Sequence, residues 1–356
     1  MTANDGKDNP LGAKMELTVV ICAYNPKRHN FLRVLEALRH QTLDMQEWAL
    51  LVIDNASSEP LQDSWDFSWH PHARVVREDK PGVAAARRRA IMETTTDLVV
   101  YVDDDNVLAE NYLFETAKIK HEWKLLGIWG SGRLLPEFEV EPREDFKEFL
   151  PILALREVNN TRWTNTYPSA GLLPEITPWG AGQCIRTEVA RAYYRAEDSS
   201  TIQMSSPALF AQLRGRTTED VEICLFACGE GWGIGIFPQL KVTHLITKER
   251  LTEEYLLKIR EFTGASNLVV EYKWHGIVPR NPYSLRGMVH FIWHTLVARG
   301  FLRRMHFANV RARLRALSII NASRTNASRG KDSRPERDMA KDECLIRPSH
   351  DMNSTG

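Results

Sequence analysis

A chain of 356 residues with 43% hydrophobic and 26% charged side chains is ordinary globular material, long enough to bury a core in one large domain or two smaller ones. Its 46 basic and 46 acidic side chains cancel, which excludes a global field for nucleic acid and leaves any electrostatic function local. Five cysteines (Cys22, Cys184, Cys224, Cys228, Cys344) are too few and too odd in number for a secreted disulfide framework and fit a reducing cytoplasm.

Residues 1–14 are polar, lack the apolar core of a signal peptide, and are expected to be a flexible N-terminus. No run reaches the ~18 apolar residues of a membrane-spanning helix, so the expectation is a soluble or peripheral protein. The β-branched run Leu17 to Ala23 predicts a strand and Phe31 to Leu38 an amphipathic helix. Trp48 to Asp54 and Arg74 to Arg77 predict two more strands. Lys80-Pro81-Gly82 turns into an Ala- and Arg-rich helix, Val83 to Met92, and Leu98 to Val102 reads as a buried central strand. Such β-α-β alternation requires crossover helices and a mostly parallel sheet, with ligands gathering beyond the carboxyl ends of the strands. Asp54 closes one strand and Asp103-Asp104-Asp105 another.

A helix is predicted from Glu110 to about Leu126, then mixed strands and loops through Trp179-Gly180-Ala181-Gly182. Thr217-Thr218-Glu219-Asp220 opens a further helix with acids where the helix dipole favours them. Cys224 and Cys228 stand at i,i+4 within it, but no second Cys or His pair at zinc spacing accompanies them, so they read as small buried side chains. Beyond the glycines at 229, 231, 233 and 235, a strand from Lys241 ends near His244 and Ile246. From Tyr272 to Lys331 there is no acidic residue, while arginines accumulate. Val289, Ile292, Trp293, Leu296 and Val297 carry a helical stripe, and Val310, Leu314 and Leu317 another. These helices either pack on the catalytic body or offer their arginines to an anionic membrane surface. The tail from Asn321 is expected to be disordered.

Three adjacent carboxylates after an apolar strand repel one another, and a divalent cation is the natural means of neutralising them; a solvated acidic turn is the plainer alternative. Val19-Val20-Ile21-Cys22-Ala23-Tyr24-Asn25, Val52-Ile53-Asp54-Asn55-Ala56-Ser57, Lys80-Pro81-Gly82-Val83-Ala84-Ala85-Ala86-Arg87, the Asp triplet and Glu219-Asp220 follow one another at strand and helix ends. In that order and spacing they resemble the family 2 glycosyltransferases over roughly residues 15 to 250. The resemblance implies a GT-A type α/β fold, a Rossmann-like, mostly parallel central sheet flanked by helices, with a helical C-terminal extension. It implies a nucleotide-binding half at 15–125, an acceptor and catalytic half at 126–260, a basic helical extension at 261–320 and a tail at 321–356.

It further implies an enzyme moving sugar from a nucleotide-sugar donor, by expectation a UDP-sugar, to a glycan or lipid-linked acceptor. Ala23, Tyr24 and Asn25 then border the base, and Asp54 accepts from the uracil ring, or else forms an Asx turn. Gly82 shapes the turn, Arg87 adds charge near the diphosphate, and Asp103 and Asp104 face the ribose. Asp105, with His244, ligates Mn²⁺ or Mg²⁺; the triplet leaves the register among its three acids open. Trp179, Gly180, Ala181 and Gly182 approach the donor sugar and acceptor, Trp179 by stacking or simply as a buried indole. Asp220, paired with Glu219, is the general base of an inverting single displacement, or a helix cap as well. A dinucleotide-dependent oxidoreductase is excluded because no G-x-G-x-x-G follows the first strand, where Ala23-Tyr24-Asn25-Pro26 stands instead. A sugar nucleotidyltransferase lacks its Gly-rich first loop, and a catalytically silent carbohydrate-binding protein stays as the third alternative.

Overall fold

The computed structural model describes residues 15–167, 172, 174–284, 288 and 297–332, with side chains up to 325. β1 (Leu17–Ala23) and β2 (Trp48–Asn55) are almost wholly buried, the signature of parallel strands covered on both faces. Between them α1 (Arg28–Arg39) buries Phe31, Val34, Leu35 and Leu38, the i, i+3, i+4, i+7 face that its sequence predicts. After the single turn α2 (Leu61–Ser64), β3 (Ala73–Glu78) forms the exposed edge. α3 (Val83–Glu93) then returns the chain to β4 (Leu98–Val102), buried along its whole length. The order β3-β2-β1-β4 is parallel throughout, with Ala23 opposite Asp54 and Ile21 opposite Val102. One edge of the sheet therefore carries Ala23, Asp54 and the Asp triplet.

The second half continues the same sheet. β5 (Asn106–Leu108), α4 (Tyr112–Glu122) and β6 (Leu126–Phe138) lead to a 3₁₀ segment at Glu144–Leu153 and two short strands, β7 (Arg156–Glu157) and β8 (Arg162–Thr164). β9 (Cys184–Arg186), α5 (Thr187–Asp198), α6 (Pro207–Gln212), α7 (Glu219–Gly229) and β10 (Gly233–Ile246) follow. β9 is antiparallel to both β4 and β6 and joins the halves into one sheet ordered β3-β2-β1-β4-β9-β6-β10-β5. The division at 125 and 126 is thus no break in the core. α4 stops at Glu122, short of the expected Leu126, because that residue opens β6. β10 starts at Gly233, so two of the four glycines expected in a turn are strand residues.

α8 (Glu253–His275), capped by the Thr252 hydroxyl, packs against α9 (Gly300–Asp332). The buried face of α9 is Ala308, Ala312, Ala316 and Ile319 rather than the expected Val310, Leu314 and Leu317, which are half-buried. Small side chains let the two helix backbones approach closely, and Ala312 and Ala316 join Ala265 and Val269 in one cluster. Arg304 pairs with Glu253, and Arg311 (2.5 Å) and Arg315 (2.8 Å) with Glu261. The acid-free run is therefore neutralised in part by α8, and those arginines are not a free basic face. α9 runs on through Asn321 to Asp332, past the point where a disordered tail is expected. The predicted stripe at 289–296 lies outside the described residues, and among those described no helix is long and apolar enough to cross a membrane.

Candidate active site

Beyond the carboxyl ends of the parallel strands a cavity of about 970 Å³ opens between the Asp triplet, the start of α7 and the helices α8 and α9. Asp103, Asp104, Asp105, Arg87, Trp179, Gly180, Ala181, Asp220, His244 and Arg250 line it. The register of β10 against β5 explains part of this gathering, since His244 lies opposite Asn106 and hence beside the triplet.

Arg87 is the centre of charge. It is buried on α3, its guanidinium sits 4.9 Å over the Tyr101 ring, and Nη2 lies 3.9 Å from Asp103. Burial works against its charge, but Asp103, Asp220 and Glu219 together hold it more firmly protonated than an ordinary arginine. Gly180 makes room for it: a Cβ there would stand 2.2 Å from Arg87 Nη2. The same glycine donates its N–H to Asp220 Oδ2 at 2.8 Å, while Asp220 Oδ1 accepts from Val221 N at 3.1 Å. Asp220 is thus an aimed carboxylate, open to the cavity and held by two backbone donors. Gly182 is not at the cavity wall; its carbonyl accepts from Tyr112 Oη.

The triplet divides into three environments. Asp103 accepts from Asn106 Nδ2 at 2.9 Å, and burial raises its pKa with Arg87 opposing. Burial and the charges of Asp105 and Asp103 push Asp104 up to about 7. Burial would also raise Asp105, but His244 and Arg250 beside it outweigh that and pull it below the ordinary carboxylate range. Asp105 Oδ2 lies 2.6 Å from Arg250 Nη2. Arg250 Nη1 lies 2.8 Å from His244 Nε2, and the same imidazole nitrogen lies 3.6 Å from Asp105 Oδ1. Arg250, absent from the sequence reading, stands against both Asp105 and His244, the two residues expected to ligate a metal. Among the described residues no three His, Cys, Asp or Glu side chains form a ready metal cage. Asp104 and Asp105 nevertheless fit a divalent ion, since Asp104 has no cationic partner among the described residues and the two like charges already repel.

Other expected site residues stand elsewhere. Glu219 is 2% exposed and does not line the cavity; its Oε1 accepts from Tyr194 Oη at 2.5 Å and its Oε2 has no partner. Burial pushes its pKa up to about 8, well above the usual carboxylate range, with Arg87 and the Tyr194 hydroxyl opposing. Asp54, 1% exposed, accepts from Ser57 N and Leu61 N and pairs with Arg77 at 2.7 Å. Its oxygens fasten the loop after β2, as the Asx-turn alternative expects. Asn25 joins the same loop, receiving the Ser58 N–H and hydroxyl and donating its own N–H to Ser57 Oγ. Ala23 is buried, Tyr24 is exposed, and neither lines the cavity. Gly82 takes φ +128°, and its N–H donates to Asn55 Oδ1; a Cβ there would meet the Phe210 ring at 2.7 Å. Trp179 does face the cavity, but one side of its indole is covered by the Arg156 guanidinium 3.6 Å from the ring centre. Cys224 is fully buried against the Asp220 carbonyl, as a small apolar side chain would be.

Acids collected at the carboxyl ends of a mostly parallel sheet, with a helical C-terminal layer, make this an α/β fold with its cavity at the strand ends. Within it, residues 18–126 match the family model of glycosyl transferase family 2, the family that the motifs resemble. That match stops short of Glu219 and Asp220. Among solved structures, S. aureus TarS 1–349 is similar at 15% identity and a TM-score of 0.46, over 89% of this chain and 92% of that one. The same protein in complex with UDP-GlcNAc is similar at 13% identity and 0.46, over 88% and 92%. The mannosyltransferase PcManGT from Pyrobaculum calidifontis, in complex with GDP-Man and Mn2+, is similar at 16% and 0.45, over 89% and 76%. Among curated protein sequences none matches.

Proposed function

We propose that the protein is an inverting glycosyltransferase that moves a sugar from a nucleoside diphosphate donor to an acceptor hydroxyl, with Asp220 as general base. The observation that carries this reading is the convergence of Asp220, Arg87 and the Asp triplet on one cavity at the carboxyl ends of the strands. Asp220 keeps lone pairs free beyond its bonds to Gly180 N and Val221 N, and takes the acceptor proton as that oxygen attacks the anomeric carbon. The bond to the diphosphate breaks on the opposite face, so the configuration inverts. Charge appearing on the leaving oxygen is met by Arg87, held fixed by the Tyr101 ring and Asp103. A divalent cation on Asp104 and Asp105 would neutralise the same diphosphate. Trp179 and Gly180 bound the space left for the sugar.

The family 2 match at 18–126 supports a nucleotide-sugar donor. TarS was solved with UDP-GlcNAc and PcManGT with GDP-Man, and UDP-, GDP- and dTDP-sugars form the panel to screen for hydrolysis with and without Mn²⁺. Hydrolysis of one donor, lost in Asp220→Asn while donor binding persists, supports the reading. A folded protein that binds and hydrolyses none of them overturns it in favour of a silent carbohydrate-binding role.

A further inference from the structure

The cavity extends well past the catalytic acids, and its far end is built from Arg216 in the loop before α7, Arg260 on α8 and Arg313 on α9. Among the described residues no carboxylate pairs with any of the three. Arg216 lies 4.8 Å over the Tyr255 ring, and Arg260 donates through Nε to Asn309 Oδ1, leaving the ends of its fork free. Arg313 has no hydrogen bond or ion pair among those residues. Glu261, next to Arg260 in sequence, is taken up by Arg311 and Arg315 and does not line the cavity. Glu271 lines this end, but burial raises its pKa with only His275 opposing, so it offers less counter-charge than a surface glutamate. Desolvation and the charge of Arg313 both weaken the hold of Arg260 on its proton, which marks the two guanidiniums as close, repelling neighbours.

Three like charges line one cavity, and although solvent reaches Arg260 and screens part of their repulsion, an anion joining them would relieve the rest. The planar guanidinium fork matches phosphate oxygens two at a time, and three forks suit a multivalent phosphate better than a single carboxylate. Arg216 leads through Thr217 and Thr218 directly to Asp220, so this end lies on the acceptor side of the base, whereas the donor diphosphate belongs beside Arg87 and the Asp triplet. We infer that Arg216, Arg260 and Arg313 bind a phosphate or phosphodiester group carried by the acceptor, so that the enzyme selects anionic acceptors. This rests on the glycosyl-transfer reading above.

The test measures inorganic pyrophosphate binding by calorimetry with UDP present at saturation, so that the donor side is filled. The inference expects wild type to bind pyrophosphate under those conditions and the pair Arg260→Gln with Arg313→Gln to bind it at least ~10-fold more weakly, with unchanged UDP affinity. Arg260→Lys with Arg313→Lys, which keeps the charge, should restore part of the binding, and equal thermal unfolding of all forms guards against misfolding. Sedimentation with phosphatidylcholine vesicles, with and without phosphatidic acid, separates a lipid phosphate from a soluble one: either source, lost in the Gln pair, supports the site. No pyrophosphate binding beside bound UDP, or binding indifferent to the Gln pair, overturns it. A parallel loss of UDP affinity would also overturn it, by assigning the arginines to the donor. Failure of the donor panel would instead strike the proposed function and leave this binding result standing.

Discussion

Replacing Glu219 by glutamine separates a structural acid from a catalytic one. In an unfolded chain this carboxyl titrates near 4.5, whereas burial in α7 pushes it up to about 8. The folded protein therefore holds one more proton than the unfolded protein between those values. Stability from this group is full below about 4.5 and falls as pH rises towards about 8, by roughly tenfold in the folding equilibrium per pH unit. By pH 7 the loss amounts to about 3 kcal/mol, the net of burial, which raises the pKa, and of Arg87 and the Tyr194 hydroxyl, which lower it. Glutamine has the same shape, accepts the Tyr194 hydroxyl as Oε1 does, and does not titrate. Urea unfolding of wild type and Glu219→Gln at pH 5.5, 6.5 and 7.5 should show the variant gaining on wild type by roughly tenfold per unit, while turnover stays near wild type. Parallel stability curves would refute the neutral buried acid, and a turnover loss of ~100-fold or more would return Glu219 to the mechanism.

Asp220→Asn should lower kcat by roughly 100-fold or more and leave donor KM unchanged, as steady-state kinetics will show. Gly180→Ala drives a methyl group into Arg87 Nη2 and shifts the N–H that aims Asp220, so kcat should fall ~10-fold with helix content unchanged by circular dichroism. Asp54→Ala removes the acceptor of two backbone N–H groups and the partner of Arg77, and chemical denaturation should show a loss of about 2–4 kcal/mol; preference among UDP-, GDP- and dTDP-sugars should not change. Arg250→Gln leaves Asp105 without its cation, so Tm should drop in EDTA and recover on adding Mn²⁺; equal Tm values in both conditions would count against a cation at Asp104 and Asp105.

Where the sequence succeeds, the signal is local. β4 begins and ends where its apolar run does, and α1 buries the face its periodicity marks, because covering a parallel sheet on both sides leaves no freedom in the pattern. The acids that close β2 and β4 are legible for the same reason: strand ends are fixed by composition, and parallel pairing brings them to one edge. What each acid does there is not legible. Asp54 and Asp105 have the same side chain at similar strand ends, yet one is consumed by Ser57 N, Leu61 N and Arg77 while the other meets Arg250 at the cavity wall. The two arginines come from 23 and 145 residues away, and nothing in Lys248-Glu249-Arg250 distinguishes its arginine from any surface charge. Glu219 and Asp220 are adjacent in sequence, and a turn of about 100° about the helix axis sends one into the core and the other into the cavity. The same limit hides the arginine cluster: Arg216, Arg260 and Arg313 carry no common motif, and only the packing of α9 against α8 brings them to one cavity end. A motif thus locates the acids at the strand and helix ends, while the arginines that set the charge around them are supplied by tertiary contacts between elements distant in sequence.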